Sequence, residues 1–324
     1  MTSLEFRSDN CGRAAPELIE ALAQANTGSV LGYGGDGHTQ QLQARFSALF
    51  EHPVQVFPVP TGTGANALAL AAVGSPFGAV YCSPEAHINT SECNATSFFG
   101  SGLKVTPVPG IDGKIDPSAL EYALSTSGKG QAHKNQPQAI NLVQATDLGA
   151  VYSVAEVKAL SKIACAHEIV VHMDGARFAN AVAHLGCSPA DVTVNAGVDI
   201  LSFGFVKNGG MGAEALVYFD PGLADAARYR RKRAGHLQSK GRFLAAQLLA
   251  MLENDLWLTN ARSANAAAQI IADAAAERLL YPVQANELFL RLMPAEAAAL
   301  RGQGFDFYDW GVVDENWGAA RLVT

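Results

Sequence analysis

Ile169-Val170-Val171-His172-Met173-Asp174-Gly175-Ala176-Arg177 is a β-rich apolar run that ends on an acid, and Ser202-Phe203-Gly204-Phe205-Val206-Lys207-Asn208-Gly209-Gly210 is a second that ends on a lysine. Between them lie a helical pattern over residues 176–185, closed by Gly186, and the strand pattern 199–203. One crossover helix and one further strand are what a right-handed βαβ connection requires. The two runs therefore read as parallel strands of one sheet, with Asp174 and Lys207 at their C-terminal ends, where open α/β sheets bind ligands. Taken singly, the aspartate reads as a helix cap and the lysine as a solvated loop residue. Their shared edge gives the pair its meaning.

The same alternation extends outward. Residues 139–145 read as a buried strand, and residues 154–167 carry Val154, Val157, Leu160, Ile163 and Ala164 at helical spacing, so with the strand from Ile169 they form a βαβ unit. Residues 215–219 give a strand after the glycine-rich turn 207–212. Upstream, Thr61-Gly62-Thr63-Gly64-Ala65-Asn66 joins a strand pattern at 54–59 to a helix pattern at 65–73. A turn of small residues feeding a helix start offers backbone N–H groups and the positive end of the helix dipole, a seat for phosphate. It also reads as an ordinary turn with threonine as cap. No G-x-x-x-x-G-K-[ST] occurs, and Gly32-Tyr33-Gly34 lacks the strand and helix of a dinucleotide fingerprint. After Pro221 the chain becomes alanine-rich and helical, breaks near Tyr281-Pro282, and resumes with strand-like pieces at 287–292 and 319–323. The expected architecture is α/β, a mostly parallel sheet sandwiched by helices with a smaller C-terminal α+β domain. Its divisions are an N-terminal arm (1–14), a large domain (15–241) and a small domain (242–324).

Of 324 residues, 49% are hydrophobic and 16% charged, enough for a large core. A net charge of −7 argues against a nucleic-acid surface, and the short basic run 228–233 reads as a solvated helix face. Residues 1–10 carry Glu5, Arg7 and Asp9 with no apolar run behind them, and no membrane-length apolar window occurs. Five cysteines, Cys11, Cys82, Cys93, Cys165 and Cys187, are spread without a C-x-x-C, which fits thiols in a reducing compartment and a cytoplasmic protein. His172 and Asp174 have no third His or Cys at matching spacing, so no metal site is expected.

An acid and an amine at one sheet edge, with a phosphate seat upstream, suit pyridoxal 5′-phosphate (PLP): the acid keeps the pyridine nitrogen protonated and the amine takes the aldehyde. Phe6-Arg7-Ser8-Asp9, Tyr33-Gly34, the Thr61–Asn66 turn, Glu85-Ala86-His87, the 172–177 block and Lys207-Asn208-Gly209, in this order, resemble the low-specificity L-threonine aldolases. These are PLP enzymes of fold type I, the aspartate-aminotransferase-like fold. The resemblance implies that Lys207 holds the cofactor as a Schiff base, that Asp174 pairs with the pyridine nitrogen, and that His87 stacks on the ring and helps handle the substrate's β-hydroxyl proton. It places Gly62, Thr63 and nearby Ser202 at the phosphate, Tyr33 reaching it from an adjacent subunit, and Ser8, Arg177 and Arg321 at the substrate carboxylate. It further implies cleavage of threonine, allo-threonine or phenylserine to glycine and an aldehyde, by a homodimer or homotetramer with sites at the dimer interface.

The chain departs from the family pattern in several places. Phe205-Val206 stands where Gly-Thr is frequent, Gly35 where Asp is frequent, and Asp147 where some members have a second histidine; His133 is then a candidate substitute from its loop. Arg321 lies within four residues of the last residue, so its hold on the substrate depends on that segment being ordered. Other reactions on this scaffold (β-elimination, β-replacement, transamination) and a non-catalytic PLP-fold protein are the competing readings. Ser8 and His87 together favour aldol cleavage.

Overall fold

The computed structural model describes residues 4–324. In chain order its strands are β1 (Leu4–Glu5), β2 (Gln55–Val59), β3 (Gly78–Cys82), β4 (Lys104–Pro107), a small hairpin of β5 (Gly110–Ile111) and β6 (Lys114–Ile115), β7 (Gln136–Val143), β8 (Val170–Gly175), β9 (Ile200–Phe203), β10 (Glu214–Tyr218), β11 (Glu287–Leu292), β12 (Phe305–Asp306), β13 (Tyr308–Val312) and β14 (Gly318–Val323). The central sheet has seven strands in the order β2-β10-β9-β8-β7-β3-β4. Only β10 runs against its neighbours.

Alternation along the strands builds a core on each face of the sheet. On β10, Ala215 and Val217 point into the main core, whereas Leu216 and Tyr218 point to the other side. The second face is covered by the helix Gly62–Val73, whose Ala and Leu residues are buried from Gly64 to Ala71, and by Pro221–Arg233 behind it. A helix apolar all round is one packed between two layers. The main core receives Leu18, Phe46, Phe50, Leu160, Leu248 and Trp257 from helices on the first face. Phe205 is also there, its ring stacked 4.2 Å from that of Phe203. Of the two residues that break the family pattern before the lysine, Phe205 is thus a core residue.

The helix Arg242–Leu252 places Leu244, Leu248 and Met251 in the main core, on the sheet's side of the boundary expected at 242. The next helix, Leu256–Ala274, bridges the two units: Trp257 and Ala261 join the main core, while Ala268 and Ala272 pack on Leu288. The C-terminal unit is an antiparallel sheet β11-β14-β13. Here the N-terminal arm is tied down, since β1 pairs with β12 and Val323 N–H donates to Phe6 C=O at 2.8 Å. Arg321 lies inside this ladder, opposite Phe289 and Tyr308. Among the described residues no helix is long and apolar enough to cross a membrane.

Candidate active site

Because β10 is antiparallel to both β2 and β9, strands β2, β3, β7, β8 and β9 all end on one edge of the sheet, where β10 begins. The segments carrying Thr61–Thr63, His87, Asp147, Arg177 and Lys207, together with Glu214, therefore open on one crevice. Two adjoining cavities occupy it, and His87 and Lys207 line both.

The inner cavity, about 290 Å³, is bordered by Gly62, Thr63, Asp174 and Lys207. Thr61 caps the helix that starts at Gly62, its hydroxyl accepting from Gly64 N–H at 3.0 Å. A Cβ at Gly64 would lie 2.1 Å from the His236 ring, so any side chain there would force that ring aside. Asp174 is fixed through both oxygens, accepting from Asn66 Nδ2 at 2.8 Å and from Ala176 N–H at 3.0 Å. The same Asn66 amide donates to Glu92 at 2.9 Å. Burial first, and the Asp174 charge second, push Glu92 up to about 8. Lys207 sits on a single helical turn that Gly209 ends at φ 95°, a conformation suited to glycine. Its ammonium is held below the ordinary lysine range, chiefly by burial and then by the nearby Arg177 charge. Glu214 accepts from the N–H groups of Phe205 and Val206, fixing the approach to the lysine.

The outer cavity, about 680 Å³, is lined by Ser8, His87, Asp147, Arg177, Lys207 and Arg321, among others. Arg177 is buried and paired on two sides, with Asp9 at 2.8 and 3.1 Å and with Glu287 at 3.1 Å. Burial opposes ionisation of Asp9, but the charges of Arg177 and Lys207 prevail and keep it below the usual carboxylate range. Arg321 is held over the Trp310 ring at 5.0 Å, with Nε 3.8 Å from Glu287. His87 Nε2 faces Asp147 Oδ1 at 3.7 Å.

An acid, an amine and two arginines thus meet beside a helix start. The sequence profile of the beta-eliminating lyases matches residues 5–292. The chain belongs to this family. A low specificity L-threonine aldolase of Pseudomonas aeruginosa is 42% identical to this beta-eliminating lyase over 309 residues, 94% of this chain and 88% of the relative. A Leishmania major threonine aldolase structure has a TM-score of 0.91 at 28% identity, covering 99% of this chain and 93% of that one. An aspartate aminotransferase variant of Thermus thermophilus, at 13% identity, shares the fold alone, with a TM-score of 0.72 over 99% of this chain and 87% of that one. The resemblance drawn from the motifs thus extends over the whole chain, and the architecture is fold type I as expected.

Of the residues singled out from sequence, the lyase brings together Ser8, Gly62, Thr63, His87, Asp174, Arg177, Lys207 and Arg321. Three fall elsewhere. Ser202 lies beside Asp174 in the sheet but lines neither cavity; it is buried, its hydroxyl 2.9 Å from His172 Nε2. The His172 ring, bonded on its other side to Asn141, is a neutral core group that burial pushes down to about 4. Tyr33 is exposed, under the Lys232 ammonium at 4.3 Å, and lines neither cavity of its own chain. His133 precedes β7 at the strand's N-terminal end, the edge of the sheet opposite the site and about 20 Å away. It cannot replace the group at Asp147. Sequence reading passed over Glu92, Glu214 and Glu287, and assigned no role to Asp9 or Asn66. None has a local signature, since each acts by closing on a partner distant in the chain.

Proposed function

We propose that this lyase uses PLP to cleave β-hydroxy-α-amino acids of the L-threonine class into glycine and an aldehyde. The observation that carries the reading is the meeting of Lys207, Asp174 and the Gly62–Thr63 helix start around one cavity. These residues fit the cofactor: a helix N-terminus suits its phosphate, a fixed carboxylate its ring nitrogen, and an amine of lowered basicity its aldehyde. When bound, the cofactor supplies an electron sink for the bond broken at the substrate's α-carbon.

The chain's own residues do the rest. Lys207 Nζ holds the aldehyde and returns a proton to the α-carbon. Asp174, kept in place by Asn66 and Ala176, holds the proton on the ring nitrogen. Arg321 and Arg177 with Ser8 bind the substrate carboxylate, for which a planar guanidinium is shaped. Asp9 and Glu287 hold Arg177 in position before substrate arrives. The substrate's β-substituent then faces the wall formed by His87 and Asp147. Exposed Tyr33 supports a homodimer or homotetramer in which it reaches a partner's site, and five free cysteines support a cytoplasmic setting.

The test is an absorbance spectrum of the purified protein with PLP, beside Lys207→Ala, and aldehyde release from L-threonine, L-allo-threonine and phenylserine. A cofactor band lost in the variant, with aldehyde released by the wild type alone, is expected. A band without aldehyde assigns another reaction of the same scaffold, and no band after addition of PLP overturns the reading.

A further inference from the structure

Cleaving the Cα–Cβ bond of a β-hydroxy amino acid needs a base for the hydroxyl proton, and the two cavities narrow the choice. Among the carboxylates that line them, Glu85 is a half-buried rim residue, Asp174 is held by Asn66 and Ala176, Glu92 by Asn66, Glu214 by the backbone before Lys207, and Glu287 faces Arg177 and Arg321. Asp147 differs. It borders the outer cavity with one oxygen turned toward His87, 3.7 Å away. Its other oxygen, Oδ2, is buried without a hydrogen-bond partner, as are Glu92 Oε2 and Glu287 Oε2. Among the described residues, however, Asp147 accepts a hydrogen bond at neither oxygen, unlike Asp174, Glu92 and Glu214, and pairs with no arginine, unlike Glu287. A carboxylate with few donors is a stronger base than one held by several.

Resting on the functional reading above, the geometry points to Asp147 as the group that takes the β-hydroxyl proton, with His87 as the residue that orients it. The hydroxyl proton passes to Asp147, the O–H electron pair becomes the second bond of the aldehyde carbonyl, and the Cα–Cβ pair stays with the α-carbon, where PLP accepts it. A proton delivered to the α-carbon then completes glycine. Asp147 faces His87, the acids Asp174, Glu287 and Glu92 and the Cys82 thiol, and the cations Lys207 and Arg177. Burial, then the charges of Asp174 and Glu287, push its carboxyl up to about 7, whereas burial and the Lys207 charge push His87 down. Near neutral pH the pair therefore offers an unprotonated imidazole beside a carboxyl poised to exchange a proton.

The experiment compares the PLP-loaded wild type with Asp147→Asn, Asp147→His and, as a rim control on the same cavity, Glu85→Gln. It follows phenylserine cleavage between about pH 5.5 and about pH 9, and in parallel the exchange of the glycine α-proton with D2O by NMR, a step without a β-hydroxyl. For Asp147→Asn, kcat should fall by about 100-fold or more and the rise of kcat/KM through about pH 7 should vanish, with KM and glycine exchange changed by less than about threefold. Asp147→His should recover part of kcat with a shifted acid limb, and the His87 imidazole titration read by NMR should move in Asp147→Asn. Cleavage by Asp147→Asn within about threefold of wild type, equal loss of cleavage and exchange, or a loss confined to Glu85→Gln would each overturn the assignment. A PLP-loaded wild type that exchanges glycine protons without cleaving phenylserine overturns the functional reading, and this inference with it.

Discussion

The two cavities that meet at His87 and Lys207 are built by different means. The inner one is made by strand ends and one helix start of the central sheet, so Asp174, Gly62 and Lys207 are placed by backbone hydrogen bonds within a rigid layer. The outer one is closed by the N-terminal arm and the C-terminal sheet, which bring Ser8, Asp9, Glu287 and Arg321 to Arg177. The first is a product of topology, the second of long-range ion pairing. What holds the cofactor side is therefore insensitive to the C-terminal unit, and what holds the substrate side depends on it.

Changes on the inner side should fall on chemistry with little effect on folding. Asp174→Asn should lower kcat by about 10²- to 10⁴-fold, with a melting temperature lowered far less than by loss of an ion pair, because an amide keeps the shape and one of the two acceptors between Asn66 and Ala176. A melting temperature that collapses with activity would erase the contrast between the two sides. Arg177→Met on the outer side should do the reverse and destabilise the fold by about 3–5 kcal/mol, since it strands Asp9 and Glu287 in the interior. Urea unfolding reads this directly, and a variant as stable as wild type would show that the ion pairs are not what closes the outer wall.

A smaller effect separates the two sides by pH. Glu92, buried beside Asp174, titrates near 8 in the fold instead of near 4.5. An acid raised on folding favours the folded state while protonated, and that advantage is lost as pH rises from the unfolded value through the folded one. Glu92→Gln removes the loss. It should raise stability by about 1–3 kcal/mol above about pH 8 and by nothing below about pH 4.5, read from melting curves of cofactor-free protein. A gain that is the same at both ends of the range would exclude ionisation as its source. Smallest is Arg321→Ala, expected to raise KM for threonine by about tenfold with kcat nearly kept. A fall in kcat with KM unchanged would move Arg321 from substrate binding to positioning Glu287.

How much of this was legible in the chain follows the same division. The pairing of Asp174 with Lys207 could be read because both lie at the ends of apolar runs separated by one crossover, and parallel strands must end on one edge. Phe205 could not be placed that way. Against the family pattern it stands only as a departure where Gly is frequent, but its ring belongs to an aromatic cluster of the main core. His133 failed for a related reason, because nearness in sequence to β7 does not say at which end of the strand a loop residue lies. The boundary at 242 looked like a change of texture, but an alanine-rich amphipathic helix packs equally well on either unit.

Local pattern and periodicity alone determined the α/β class, the sheet edge that carries the site, the small-residue turn 61–66 that feeds a helix and the acid–amine pair, because each depends on contacts between near neighbours or on rules of strand connection. The tertiary structure decided which carboxylates accept hydrogen bonds from fixed donors and which, like Asp147, accept none among the described residues. Asp9, Asp147 and Glu287 are ordinary acids in sequence, and only their burial and the charges of Arg177, Lys207 and neighbouring carboxylates give them different proton affinities. Electrostatic environment is set by every charge within a few ångströms, whatever its place in the chain.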